Sequence, residues 1–307
     1  MNFLRYTKRP LGWLFGVFLA ALMPLQAGVV FQGDSAYHHI QVIDNNGVRT
    51  LSFNGSQETR MSLRNPLQGH FIYTEFFHVP WIWNNNIKNV LMMGLGGGST
   101  QRAYQHYYPQ VNIDTVELDP VVIAVAGKYF GVKPTGKHKI IRSDGRMHLR
   151  RTRKKYDVIL MDAYTANRYG SFIPYSLATK EFFQLAHSRL TDNGVVAYNV
   201  IGTTHGWRAD ILGSIYRTMN SVFPKVYLFP APDSKNVVLI ATKSPQTYTI
   251  TAARQRASQL INSKRVQLRF FATRVNAMRI GAPPTAARSP VLTDNYAPVD
   301  GLLKRAR

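Results

Sequence analysis

The feature that most constrains the fold is a glycine-rich turn directly after a short apolar run. Residues 90–100 read Val-Leu-Met-Met-Gly-Leu-Gly-Gly-Gly-Ser-Thr. Between a buried strand and a helix, such glycines let a ligand approach the helix N-terminus without meeting a side chain. They also allow a sharp backbone turn that holds no ligand. The turn alone leaves two interpretations open: a cofactor loop at Gly94, Gly96 and Gly98, or a purely structural turn.

Strand-like and helix-like segments alternate after this turn. We predict strands at Val90–Met93, Ile113–Glu117, near Ile140, Tyr156–Met161, Val195–Val200 and Asn236–Ala241, and helices at Pro120–Phe130, Leu177–Leu190, Ala209–Met219 and over much of 251–279. Such alternation is typical of a doubly wound, mostly parallel α/β sheet. The carboxyl ends of its strands form the rim of one crevice.

A separate pattern precedes the turn. Alternating residues with turns at Asp44–Gly47 and Asn54-Gly55 predict hairpin strands. The pattern changes at Gly69, after which apolar residues recur at helical spacing up to Trp83. We therefore predict a targeting segment at 1–27, a small β domain at 28–68 and a Rossmann-like catalytic domain at 69–307.

Polar residues follow the predicted strands at the rim. Glu117 ends the strand after the glycine turn, where a carboxylate can accept both ribose hydroxyls. Asp144-Gly145 follows the next strand, although for Asp144 a helix cap is an equally open interpretation. Gly98 follows Gly96 by two residues rather than three, which favours an S-adenosylmethionine-type site over a dinucleotide site.

Asp162 ends the Tyr156–Met161 strand at the same rim and is the candidate catalytic residue. An attacking amine must lose a proton, and a carboxylate beside it can orient the amine and accept that proton. A strand-end cap is the structural alternative for Asp162. Tyr164 is a candidate wall of the substrate pocket, although buried core aromatics are at least as common.

The charge balance bears on the partner. The chain has 38 Lys and Arg against 16 Asp and Glu, a net charge of +22. Such a charge attracts anionic partners and argues mildly against a polycationic substrate. The basic run within residues 150–155 lacks interleaved aromatics, so we expect no nucleic-acid binding. The chain has no cysteine and its histidines lack ligand spacing, so we expect no metal.

The first 27 residues predict a targeting segment. Basic residues precede the apolar run Leu11–Leu22, and the segment ends at the small residue Ala27. This is a secretory pattern, and its imperfect cleavage site leaves an uncleaved anchor open. We predict a cell-envelope or periplasmic location if the signal is used and a cytoplasmic one otherwise, with membrane contact only through residues 1–27.

From about Tyr37 to Pro298 the chain resembles the spermidine synthases and their spermidine-synthase-like relatives. The order and spacing of several motifs carry this resemblance: Phe71–Glu75, Gly94–Gly98, Val116–Asp119, Ser143–Gly145, Met161–Tyr164 and Leu292–Val299. The resemblance implies a small β domain before a seven-stranded, Rossmann-like sheet of the S-adenosylmethionine-dependent methyltransferase type. It also implies decarboxylated S-adenosylmethionine as co-substrate, a small-molecule amine acceptor and, commonly in the family, a homodimer.

The resemblance also implies roles for individual residues. Glu117 would bind the ribose, Asp144 the adenine amino group, and Asp162 would accept the proton. Gln57 and Tyr73 would line the aminopropyl and polyamine side.

Three positions depart from the family. Gly97 stands where the family has an Asp that holds the cofactor's amino group, and Thr165 where a second Asp serves the polyamine. His38 stands where a Gln contacts the cofactor. An Asp at position 97 would repel the carboxylate of intact S-adenosylmethionine, so glycine there removes a barrier to that methyl donor.

Three functions remain open from sequence. The first is an aminopropyl transferase of polyamine biosynthesis with Asp162 as proton acceptor. The second is a methyltransferase that uses intact S-adenosylmethionine on an unknown acceptor, which Gly97 and Thr165 favour. The third is a non-catalytic exported relative, which the N-terminal signal favours. Because a fold does not determine a function, the resemblance favours the first without proving it.

Overall fold

The computed structural model describes residues 28–167, 170–206 and 209–304. The targeting segment predicted at 1–27 lies outside these ranges. Within them, no helix combines the length and apolar character needed to cross a membrane.

The N-terminal part forms a four-stranded antiparallel sheet in the order β1-β2-β3-β4. Its strands are β1 (Gly28–Asp34), β2 (His39–Asn45), β3 (Val48–Phe53) and β4 (Ser56–Ser62). Two-residue loops, Asn46-Gly47 and Asn54-Gly55, join the last three strands, and all four loop residues have positive φ. This is the geometry that Asn-Gly favours in tight hairpins, so the predicted hairpins are confirmed.

The main sheet has eight strands in the order β14-β12-β13-β11-β8-β5-β6-β7. The remaining strands along the chain are β5 (Asn89–Met93), β6 (Asn112–Glu117), β7 (His138–Arg142), β8 (Tyr156–Met161), β9 (Thr165–Asn167), β10 (Gly170–Phe172), β11 (Leu190–Ile201), β12 (Lys225–Pro230), β13 (Asn236–Thr242) and β14 (Arg279–Ile280). The five strands from β7 to β11 in this order are parallel, while β13, β12 and β14 are antiparallel to their neighbours. The predicted seven-stranded Rossmann-like sheet is confirmed, and the two-residue β14 extends its edge.

Helices cover both faces of this sheet. They are α1 (Ser99–Tyr107), α2 (Pro120–Phe130), α3 (Gly145–Arg151), α4 (Lys180–Ser188), α5 (Ala209–Asn220), α6 (Ile250–Asn262), α7 (Phe271–Asn276) and α8 (Val299–Lys304). The helix predicted from Leu177 begins later because Thr179 caps it, its side chain accepting the N–H of Phe182. The helical stretch predicted over 251–279 is divided into α6 and α7.

The segment Ile72–Ile82, for which the spacing predicted a helix, forms a 3-10 helix. Pro80 lies within it and has no backbone N–H to donate. Every residue from Tyr73 to Ile82 is buried, including the polar residues Thr74, Glu75 and His78, and the segment packs against α6, α7 and β13. It carries Tyr73 into the interior.

The N-terminal sheet packs on one helix of the main domain. Ile40, Val42 and Leu51 share an apolar cluster with Val125 and Phe130 of α2. This contact fixes β4 above the carboxyl ends of the parallel strands.

Candidate active site

A cavity of about 670 Å³ lies at the carboxyl ends of the parallel strands. Residues of β4 and of the segment from Thr165 to Tyr175 complete its walls. Its volume is in the range that holds small-molecule ligands, and its position is where open α/β sheets bind them. Of the residues predicted for the site, Gln57, Tyr73, Gly94, Gly96, Glu117, Asp144, Gly145, Asp162 and Tyr164 line this one cavity, and Gly98 does not.

Gly94 follows β5 and lies between the carboxyl ends of β6 and β8. Its N–H donates to Val116 O at 2.9 Å, and its φ of +93° is in the glycine-favoured region. A β-carbon here would lie 2.2 Å from the carbonyl oxygen of Asp162. Position 94 therefore excludes any side chain while its backbone forms part of the cavity wall.

Gly98 has a packing role instead. Its φ is +71°, and a β-carbon would lie 2.3 Å from Cγ2 of Val132. The turn thus combines the two interpretations: its first glycines face the cavity, and its last meets the core.

Glu117 is held by backbone N–H groups. Leu95 donates to Oε2 at 2.9 Å, while Leu118 and Asp119 donate to Oε1 at 2.7 and 2.9 Å. Burial raises the pKa of Glu117, and these three hydrogen bonds oppose that rise. A carboxylate has about four acceptor positions, so about one position, on Oε2, remains for a ligand hydroxyl.

Asp144 is both a helix cap and part of the cavity wall. Its Oδ1 accepts the N–H of Met147 at 2.8 Å at the start of α3. Gly145 follows, where a β-carbon would stand 3.0 Å from Sδ of Met93. The cap interpretation is therefore correct for one oxygen of Asp144.

Asp162 is fixed by one donor on each carboxylate oxygen. Tyr73 donates its hydroxyl to Oδ2 at 3.0 Å, and Asn199 donates Nδ2 to Oδ1 at 2.8 Å. Asn236 in turn donates to Oδ1 of Asn199 at 2.9 Å. Burial raises the pKa of Asp162 to about 6 against these two hydrogen bonds, and the charge of Glu58 adds to the rise. Such a carboxyl group can exchange a proton near neutral pH.

Tyr164 is bonded to the backbone of β11. Its hydroxyl donates to Asn199 O at 2.6 Å and accepts the N–H of Ile201 at 2.9 Å. Burial raises the pKa of Tyr164 well above its ordinary value. The ring is therefore a neutral, fixed wall beside Asp162.

Sequence reasoning missed Glu58, Asn199 and Asn236, which also line the cavity. The pairing of β11 with β13 brings the two asparagines close together, because Asn199 lies opposite Val238 and Ile201 lies opposite Asn236. No local motif marks them, but both lie in or at the end of predicted strands of the sheet.

The three departures have distinct environments. Gly97 does not line the cavity; its N–H donates to Thr59 Oγ1 at 2.9 Å, and a β-carbon would lie 2.7 Å from Cγ2 of Thr59. Thr165 lines the cavity as a neutral residue. His38 also lines it, stacks on Phe53 with ring centroids 4.5 Å apart, and has its pKa lowered by burial.

The cavity is acidic although the chain is basic. No Lys or Arg is among the lining residues in the described part of the chain. The lining carboxylates are Glu58, Glu117, Asp119, Asp144, Asp162 and Asp300. The positive charges therefore lie elsewhere, and the composition-based argument against a cationic substrate does not apply to the cavity. In the same ranges, no three or more His, Asp and Glu are grouped closely enough to hold a metal ion.

Comparison with known proteins bears on this site. Residues 70–252 match the family described as the spermine/spermidine synthase domain. A polyamine aminopropyltransferase from Vibrio vulnificus is 30% identical over 244 residues, which are 76% of this chain and 79% of that protein.

Two solved structures share the fold. A spermidine synthase in complex with the transition-state analogue AdoDATO superposes with a TM-score of 0.63 at 21% identity, covering 90% of this chain and 88% of that chain. Human methyltransferase-like protein 13 in complex with SAH superposes with a TM-score of 0.54 at 25% identity, covering 63% of this chain and 90% of that chain.

Proposed function

The chain belongs to the spermine/spermidine synthase family, and on that premise we propose that it transfers an aminopropyl group from decarboxylated S-adenosylmethionine to a small amine. It is a transferase of the polyamine-biosynthesis type. The observation that carries the proposal is the charge of the cavity, whose six lining carboxylates suit cationic substrates. Both the sulfonium donor and a protonated amine acceptor are cations.

The nucleoside end of the donor would bind at the glycine turn. Glu117 would accept a ribose hydroxyl at the remaining acceptor position of Oε2, and the second oxygen of Asp144 would face the adenine amino group. Gly94, Gly96 and Gly145 would let the nucleoside approach the backbone. Among the described lining residues there is no Lys or Arg that could bind the carboxylate of the intact donor. This favours the decarboxylated donor over the intact one.

The reaction needs positioning and one proton acceptor. The amine nitrogen attacks the propyl carbon bonded to the sulfonium; the N–C bond forms, the C–S bond breaks, and sulfur keeps the electron pair as a neutral thioether. The proton lost by the amine passes to Asp162, whose pKa of about 6 leaves it mostly ionised at neutral pH. Tyr73 and Asn199 hold the carboxylate for this step.

A methyltransferase is the second candidate. One observation favours it: the space beside Gly97 is filled by Thr59 and Phe130, so no carboxylate stands there to bind a donor amino group or to repel a donor carboxylate. Similarity to human methyltransferase-like protein 13 is consistent with this alternative.

Calorimetric binding of intact and decarboxylated S-adenosylmethionine to the purified full-length chain separates the candidates. Preferred binding of the decarboxylated donor, with aminopropylated product from a diamine, would support our proposal. Preferred binding of the intact donor with methyl transfer would establish the alternative. If neither donor binds, both enzyme functions are wrong and a non-catalytic relative remains.

Cellular location and assembly are further proposals. We propose that residues 1–27 direct the chain to the cell envelope, which fractionation and N-terminal sequencing of the mature protein would test. We also propose a homodimer by analogy with the family, which analytical ultracentrifugation would test.

A further inference from the structure

Glu58 faces the cavity because β4 contains a β-bulge. Leu51 pairs with Thr59 and Ser52 pairs with Gln57, so Glu58 is an extra residue in β4. In a regular strand, adjacent side chains point to opposite faces. A bulge re-aims a side chain, and here both Gln57 and Glu58 line the cavity.

The Glu58 carboxylate has hydroxyl donors but no cationic partner among the described lining residues. Ser171 Oγ donates to Oε1 at 2.7 Å. Burial raises the pKa of Glu58, and hydrogen bonds from Ser171 and Ser56 oppose that rise. A buried carboxylate without a positive partner is costly, and an ammonium group of a ligand would remove that cost.

Glu58 belongs to the same end of the cavity as Asp162. Its charge contributes to the raised pKa of Asp162 and acts on the phenols of Tyr73 and Tyr164. Thr165, which lines the same cavity, offers no charge. Two carboxylates on different elements therefore face the space beside the proposed reacting amine.

We infer that Glu58 binds the non-reacting ammonium group of the acceptor, so that the protein selects amines with two amino groups over monoamines. This inference rests on the proposed aminopropyl transfer. Glu58 is a specificity-determining residue in this scheme, while Asp162 serves the reacting nitrogen.

Two variants separate the charge of Glu58 from its hydrogen bond. Glu58→Gln keeps the size of the side chain and an acceptor for Ser171 but removes the charge. Ser171→Ala keeps the charge and removes the hydrogen bond from Ser171, while the hydrogen bond from Ser56 remains. Binding of 1,4-diaminobutane and of butylamine to the full-length chain is measured by calorimetry with 5′-methylthioadenosine present, and donor binding serves as the readout of an intact fold.

We expect the parent protein to bind the diamine about 10- to 100-fold more tightly than the monoamine, as one charge-assisted hydrogen bond provides. Glu58→Gln should abolish this preference, while Ser171→Ala keeps most of it and both variants bind the donor normally. If Glu58→Gln retains the preference, or if both variants lose it equally, the inference is wrong while aminopropyl transfer stands. If the parent protein binds no donor, the proposed function fails first.

Discussion

Tyr73 donates its hydroxyl to Oδ2 of Asp162 at 3.0 Å, although 89 positions separate the two residues in the chain. The buried 3-10 segment brings the phenol to the end of β8, and Asn199 holds the other oxygen from β11. Each oxygen keeps a second acceptor position for an amine. The carboxylate is therefore oriented before any substrate arrives.

The pH dependence of catalysis should reveal the ionisation of Asp162. Because its pKa is about 6 and the ionised form accepts the proton, kcat should fall as the pH drops through about 6 and level off above it. Asp162→Asn should lower kcat by about 10²- to 10⁴-fold and remove this acid limb. The measurement is kcat against pH at saturating substrates; an unchanged limb in the variant would contradict the role.

Tyr73→Phe should move the acid limb to higher pH. The variant removes a hydrogen bond that lowers the pKa of Asp162. The pKa should therefore rise, and the carboxyl group should stay protonated up to a higher pH. Tyr164→Phe is the matched control, because its hydroxyl bonds to the backbone at Asn199 and Ile201 rather than to Asp162. If the acid limb of kcat has the same midpoint pH in the two variants, the Tyr73 hydrogen bond does not lower the pKa of Asp162.

Gly94→Ala should destabilise the fold. The new β-carbon would meet the Asp162 carbonyl at 2.2 Å with φ at +93°, and overpacking and backbone strain together cost about 2–6 kcal/mol. Gly136→Ala is the control, because nothing lies within 4 Å of its β-carbon, and it should change the free energy of unfolding by less than about 0.5 kcal/mol. Urea unfolding followed by circular dichroism gives both values; similar midpoints would refute the close approach.

Restoring the family's aspartate at position 97 should not improve donor binding. Thr59 and Phe130 fill the space that a side chain would need, so Gly97→Asp should lower the free energy of unfolding by about 1–3 kcal/mol. Gly136→Asp adds the same charge in open space and controls for it. Calorimetry with the decarboxylated donor checks whether donor binding is unimproved. Tighter binding by a stable Gly97→Asp variant would contradict this prediction.

Much of the site could be predicted because it depends on the ends of successive strands. Glu117 is the last residue of β6 and Asp162 directly follows β8, and parallel strands bring such ends to one edge whatever the details of packing. Glu58 could not be predicted in this way. Its direction depends on a single-residue bulge, and a strict two-residue alternation assigns Gln57 and Glu58 to opposite faces.

The 3-10 form of residues 72–82 and strand β12 were also missed. The apolar spacing around Phe76 and Val79 is compatible with more than one helical form, and only burial on all sides together with Pro80 decides between them. Strand β12 lies at the antiparallel side of the sheet, where strand–helix alternation no longer applies.

The separation of an acidic cavity from a chain of net charge +22 has a kinetic consequence. A polycation must cross a repulsive outer field before it reaches the carboxylates, and dissolved salt screens that field over about 10 Å while shielding the buried groups less. Adding moderate salt should therefore speed the capture of a diamine, the reverse of the usual behaviour of oppositely charged partners. Stopped-flow measurement of the diamine association rate at rising ionic strength would test this, and the rate should increase as salt is added.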